Sequence, residues 1–228
     1  MQSNLPYGCM PLVLVAVLAI FLPIFLADVM LTAMTRLGLS PETSVLAAMG
    51  IFMGGLINIP VKKIPRENSV EFSPHTMFGV RRFLQGQVHE RQYTVLAVNF
   101  GGCIVPCIIV LYQLGRLLGY GPHAFAAALA AIAVNIAVCY KLAQPVANVG
   151  IAMPPLVPAL AAAACAILFG HELAPSIAFC AGVMGPLLGA DLMHLKDIEK
   201  INTGVASIGG AGTFDGIVIS GLLATLLA

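Results

Sequence analysis

Apolar runs of nearly the length needed to cross a bilayer recur along this chain, and almost every charge falls in the short stretches between them. A spanning helix needs roughly 20 mainly apolar residues to cover about 30 Å of hydrocarbon. Pro11 to Met34, Tyr93 to Leu114, Ala124 to Tyr140, Ile151 to Phe169 and Leu173 to Ala190 approach that requirement, and Ser44 to Ile59 and Gly216 to Ala228 are shorter runs of the same kind. The expectation is an all-α polytopic membrane protein of about seven transmembrane helices, with residues 1–228 forming a single transmembrane domain. Composition agrees, because 59% hydrophobic and 9% charged residues leave too little polar surface to coat a water-soluble globule of 228 residues. The runs do not alternate polar with apolar, so a transmembrane β-barrel is not expected.

Charge placement orients the bundle. With the amino terminus in the cytoplasm and the carboxyl terminus outside, every basic residue except Arg36 and Arg116 lies on the inner side, as the positive-inside rule requires of an inner-membrane protein. Tyr7, Tyr93 and Tyr140 then fall at inner edges, and Tyr112 and Tyr120 at the outer edge, where amphipathic rings collect. The first run has no basic residue before it and no clear small-residue cleavage site, so it is expected to be retained as a span. In the basic loop 61–92, Met77, Val80, Leu84 and Val88 recur at helical spacing, which predicts an interfacial helix on an anionic surface. A net charge of +1 without a basic stripe excludes nucleic acid as an expected partner. The bilayer is the partner the sequence implies.

Within this frame two acids stand out. Asp191 ends one apolar run and Asp215 opens the last, and the polar, glycine-rich loop 191–214 joins them. Intramembrane carboxylates are functional candidates by default. The topology puts both on the inner side, on consecutive helices. From Ile217 to Ala228 the helix supplies only about 18 Å, so Asp215 is expected on the order of 10 Å inside the hydrocarbon. Two carboxyls in contact cannot both ionise cheaply and titrate as a unit, one acid and one base. Such a pair can activate water against a peptide carbonyl, or carry protons or a cation through a transporter. Each aspartate can instead cap a helix end.

Other residues fit either chemistry. Gly209, Gly210, Gly212 and Thr213, in the segment Ser207 to Gly216, permit close backbone approach to a substrate or simply tight helix packing. Gln144 and Asn148 lie in a proline- and glycine-broken stretch, the way transporters build ion sites, and Asn58 is expected on the same side. Pro158, in the turn Pro158-Ala159-Leu160, is a candidate substrate seat. Asn99 and Asn135 are expected to be helix-borne amides bonding between helices, and Cys103 and Cys107 to be packing thiols on one helix face. Asp191, His194 and Asp197 recur every three residues, as on a metal-binding face or a solvated helix end. No metal or organic cofactor is implied.

At Gly189 to Ile198 (GADLMHLKDI) and Ser207 to Ile217 (SIGGAGTFDGI) the chain resembles the multi-pass membrane family called domain of unknown function 1614, which implies a helical membrane protein and no assigned activity. It also resembles, more distantly, the presenilin and signal-peptide-peptidase class of intramembrane aspartyl proteases. In that class one aspartate enters the cytoplasmic side on a helix and the next returns in a Gly-x-Gly-Asp motif, with a Pro-Ala-Leu motif nearby. Asp191 and Asp215 match the order and direction, and Gly212 keeps the glycine three before the second acid. Phe214 replaces the other glycine, and Pro158-Ala159-Leu160 lies upstream of the pair instead of downstream. That resemblance implies that Asp191 and Asp215 are catalytic and that the substrate is a transmembrane peptide.

Overall fold

The computed structural model describes residues 10–65, 93–146, 150–154, 156–200, 204–210 and 212–228. Helices dominate it: α1 (Met10–Arg36), α2 (Pro41–Gly54), α3 (Val105–Gly119), α4 (Pro122–Leu142), α5 (Leu156–Gly170), α6 (Ala174–Met184) and α7 (Gly216–Leu227). Among the described residues, four helical stretches are by length and composition apolar enough to cross a membrane: Val17–Arg36, Phe100–Gly119, Pro122–Leu142 and Leu156–Leu192. The last of these folds back through a 3-10 turn at His171–Leu173, so that α5 and α6 pack on each other. Large apolar side chains such as Phe21, Leu46, Leu111 and Leu168 stand more than half exposed around the bundle, the surface expected where lipid is the solvent.

The core sits at α6, where every side chain from Ile177 to Val183 is buried. A helix apolar on all faces belongs in the middle of a bundle. Small residues let its neighbours approach: a Cβ on Gly182 would lie 2.7 Å from the carbonyl oxygen of Ser220 on α7. Without a hydrophobic drive between helices in lipid, such close packing is what holds them together. Asn135 on α4 donates to Ala181 O at 2.8 Å, the interhelical amide bond expected of it.

Several expected boundaries shift because the chain also forms strands. Strand β1 (Asn58–Pro65) pairs antiparallel with β2 (Tyr93–Asn99), and β2 pairs in parallel with β5 (Val205–Ile208). A hairpin of β3 (Gln144–Val146) and β4 (Gly150–Ala152) forms a second, two-stranded sheet. The span expected from Tyr93 is therefore helical only from Phe100, and the one expected from Ile151 only from Leu156. Tyr93, Thr94, Val95 and Val98 are aromatic or β-branched types that suit a pleated surface better than a helix, and Thr94, Leu96, Ala97 and Asn99 are buried. Pro60 and Pro65 also remove helical hydrogen bonds from β1. Helix α2 runs 14 residues, about 21 Å, which is short of a full crossing. Lys62 and Lys63, expected in a loop, lie on β1. The interfacial helix expected through Met77, Val80, Leu84 and Val88 falls outside the described residues.

The bundle has two chemically different ends. At one, Arg36 donates from Nη1 to Leu226 O at 2.9 Å, covering the carboxyl end of α7, and Arg116 donates to Leu37 O. At the amino end of α7, about 18 Å away, stand Asp215 and the three-stranded sheet. Arg36 and Arg116, the two basic residues expected outside, thus share the end opposite the acids.

Candidate functional site

Helix α6 does not stop at Met184 but widens into a π-helical segment, Gly185–Leu192, which carries Asp191. Pro186 at its start lacks an N–H. Gly185 and Gly189 press against the Asn135 side chain and the Ile136 carbonyl of α4. An extra residue per turn re-aims the side chains that follow, and π segments occur often at functional sites. Asp215 reaches the same place from the other side. From β5 the chain passes through consecutive turns, with Gly210 N bonding Ser207 O (3.0 Å), Gly212 N bonding Gly209 O (2.9 Å) and Asp215 N bonding Gly212 O (3.0 Å). Asp215 then caps α7, its Oδ2 accepting from Ile217 N at 2.9 Å.

Both acids line one cavity of about 370 Å³. Its remaining wall comes from β5 (Val205, Ala206, Ser207, Ile208), from Gly150 and Ile151 on β4, and from Leu96, Ile198 and Gly210. The two carboxyls are near enough for their charges to interact. Both are half-buried. Cys103 lies close enough for its thiol to interact with the charges of both acids. The fold thus brings together Asp191, Asp215 and Gly210, with Gly209 beside Gly210 in the turn, and attaches Asn58 through Ser207, whose hydroxyl donates to Asn58 Oδ1 at 2.5 Å.

The other expected residues stand elsewhere. Thr213 is buried in the 3-10 turn Gly212–Phe214 just before Asp215, and Gly212 packs its backbone on Gly55. Gln144 is exposed on β3 and is not among the lining residues, although its strand partner β4 contributes two of them. Asn148 lies outside the described residues. Pro158, expected in a turn, is buried in the first turn of α5, where a proline needs no N–H partner, and does not line the cavity. His194 turns Nδ1 toward Gly189 O (3.1 Å) and Ala190 O (3.0 Å) and stacks near Tyr140. Asp191 lies in the π-helical segment, His194 in the turn after it and Asp197 in the 3-10 helix Leu195–Lys200, and among the described residues no cluster of three or more His, Cys, Asp or Glu is arranged to hold a metal.

Sequence reasoning missed the junction beneath the acids. The chain contains three Gly-Gly pairs, at 54–55, 101–102 and 209–210, and the fold stacks them backbone on backbone. A Cβ on Gly101 would collide with Ile51 O and Gly55 N, and one on Gly102 with Gly209 O. Gly209 itself sits at φ +69°, where a side chain is strained. The three pairs were the signal available. Asn99 was misplaced as a mid-helix amide: it ends β2 and caps the π-helical segment Phe100–Ile104, its Oδ1 accepting from Gly102 N at 2.7 Å.

The family model described as "Protein of unknown function (DUF1614)" matches residues 51–227. The chain belongs to this family. The match takes in both acids, all three Gly-Gly pairs and every strand among the described residues, and leaves out α1 and the first part of α2. Neither the curated proteins nor the solved structures contain a match to the chain.

Proposed function

We propose that this DUF1614 protein is a membrane-embedded aspartyl hydrolase that cleaves transmembrane peptides, with Asp191 and Asp215 as its acid and base. The observation that carries the reading is that two acids 24 positions apart in sequence line one cavity together with strand β5, which ends its sheet. Strand β5 pairs with β2 on one side only, and the sheet order leaves its other edge without a strand among the described residues. An edge strand offers unpaired N–H and C=O groups.

Those groups matter to a membrane substrate because the carbonyls of a helix are already bonded and shielded, and a bare extended backbone in lipid leaves each polar group unsatisfied. Addition to β5 satisfies an unwound stretch and lays its carbonyls in the cavity between the acids. One carboxylate then takes a proton from water as the oxygen attacks the carbonyl carbon. The other, protonated, donates to the carbonyl oxygen. Collapse of the tetrahedral intermediate breaks the C–N bond with proton transfer to the leaving nitrogen, giving a carboxylic acid and an amine, and the pair returns holding its one shared proton. No metal enters these steps.

The test is cleavage of a model transmembrane peptide by the purified protein in proteoliposomes. Asp191→Asn and Asp215→Asn should each lower turnover by about a hundredfold or more while the protein remains folded. Wild-type protein that cleaves no such peptide, but carries a proton- or cation-dependent flux lost in the same variants, assigns the acids to a transporter and sinks the hydrolase.

A further inference from the structure

Asn99 is wholly buried, and its side chain is fully used. Nδ2 donates to Gly55 O at 2.8 Å and to Asn58 Oδ1 at 3.1 Å, and Oδ1 accepts from Gly102 N. Asn58 Oδ1 also accepts from Ser207, on the strand that lines the cavity. One amide therefore ties the end of α2, the start of β1 and the entry to α3, and reaches β5 through Asn58. Gly102, held by that amide, packs against Gly209 so closely that no Cβ fits on either; one on Gly209 would lie 2.6 Å from the Gly102 carbonyl carbon. Gly210, the next residue, lines the cavity together with Asp191 and Asp215.

We propose that Asn99 is the positioning residue of the acid pair, setting through Gly102 and Asn58 where the Gly209–Gly210 turn and β5 stand in the cavity that Asp191 and Asp215 line. The role deepens the hydrolase reading and rests on it for its catalytic meaning, though not for its geometry. Only a short primary amide supplies two donors and an acceptor here. Aspartate lacks the donors, and leucine, of similar shape, leaves Gly102 N–H and Gly55 O buried without a partner. Among the described residues, the titratable groups whose charges interact with Asp191 include Asp215 and the thiols of Cys103 and Cys139, while His194 turns Nδ1 to backbone carbonyls.

The experiment uses the full chain in lipid nanodiscs and reads amide hydrogen exchange at Gly209 and the carbon-13 titration of the Asp191 carboxyl, neither of which needs turnover. Asn99→Ser should speed exchange at Gly209 by about tenfold or more and move the carboxyl midpoint by about half a pH unit or more. Gly115→Ala, whose added methyl meets nothing within 4 Å, should do neither. A folded Asn99→Ser protein with wild-type exchange and midpoint overturns the proposal. If Asn99 variants fail to assemble, Ser207→Ala removes one hydroxyl from the same network, and unchanged exchange at Gly209 in that variant overturns it equally. Where wild type cleaves peptide, Asn99→Ser should lower kcat more than it raises KM. Protein that cleaves nothing, yet whose Asp191 midpoint moves with Asn99, retires the hydrolase and leaves the positioning role standing.

Discussion

Asp215 combines two duties that substitutions can separate. As the cap of α7 it accepts from Ile217 N, a role that asparagine performs about as well as aspartate, whereas alanine leaves the N–H without a partner. Asp215→Asn should therefore change thermal stability little, and Asp215→Ala should cost about 1 kcal/mol, both read from melting in detergent. Turnover should instead be lost in both. If Asp215→Asn keeps full activity, the acid is a cap and nothing more. A pair sharing one proton also gives a bell-shaped dependence of kcat/KM on pH, with one limb for each acid, and a profile flat from pH 4 to pH 9 would argue against shared-proton chemistry. Asp191 was legible in the sequence because a charge at the end of an apolar run is costly. Asn99 was not, since an amide inside an apolar window reads the same whether it bonds a neighbouring helix or caps its own.

The elements hold together through small residues, and α6 against α7 is the clearest case. At Gly182 an added methyl would meet the backbone of Ser220, which cannot rotate away as a side chain can. Gly182→Ala should destabilise the fold by about 1–3 kcal/mol. Gly115→Ala, on an open face of α3, should be neutral or stabilise by up to about 1 kcal/mol, because alanine loses less backbone freedom in a helix. Equal melting temperatures for the two variants would refute the close-packing account of α6 and α7. The long helices were readable from apolar length alone. The strands were not: β1 and β2 are short, sit beside apolar runs and are separated by 27 residues, from Arg66 to Gln92. Only their pairing partners distinguish them from helix ends.

For the whole molecule, the separation of Arg36 and Arg116 from the acid end makes the orientation testable. In a cysteine-free background, Ser40→Cys, beside the Arg36 end, should label with an impermeant thiol reagent from the outside of intact cells. Lys62→Cys, on β1, should label only after the inner face is opened. Labelling of both from one side would break the arrangement, and the reverse pattern would invert it. Sheet and π segments at one end, with plain helices at the other, fit the rule that irregular backbone survives at membrane depth only where protein buries it or it lines a cavity.

Helical class, membrane residence and the candidacy of both acids follow from sequence, because lipid demands long apolar segments and penalises isolated charge wherever the chain folds. Which residues share a cavity is a different kind of fact. The meeting of glycines 54–55, 101–102 and 209–210, the reach of Asn99 to Gly55 and Gly102, and strand β5 beside Asp191 and Asp215 join distant segments; Gly55 and Gly212, which pack together, are 157 positions apart. No local propensity encodes such contacts. Backbone surfaces that touch without side chains leave no periodic pattern to read, and only the packed structure brings them together.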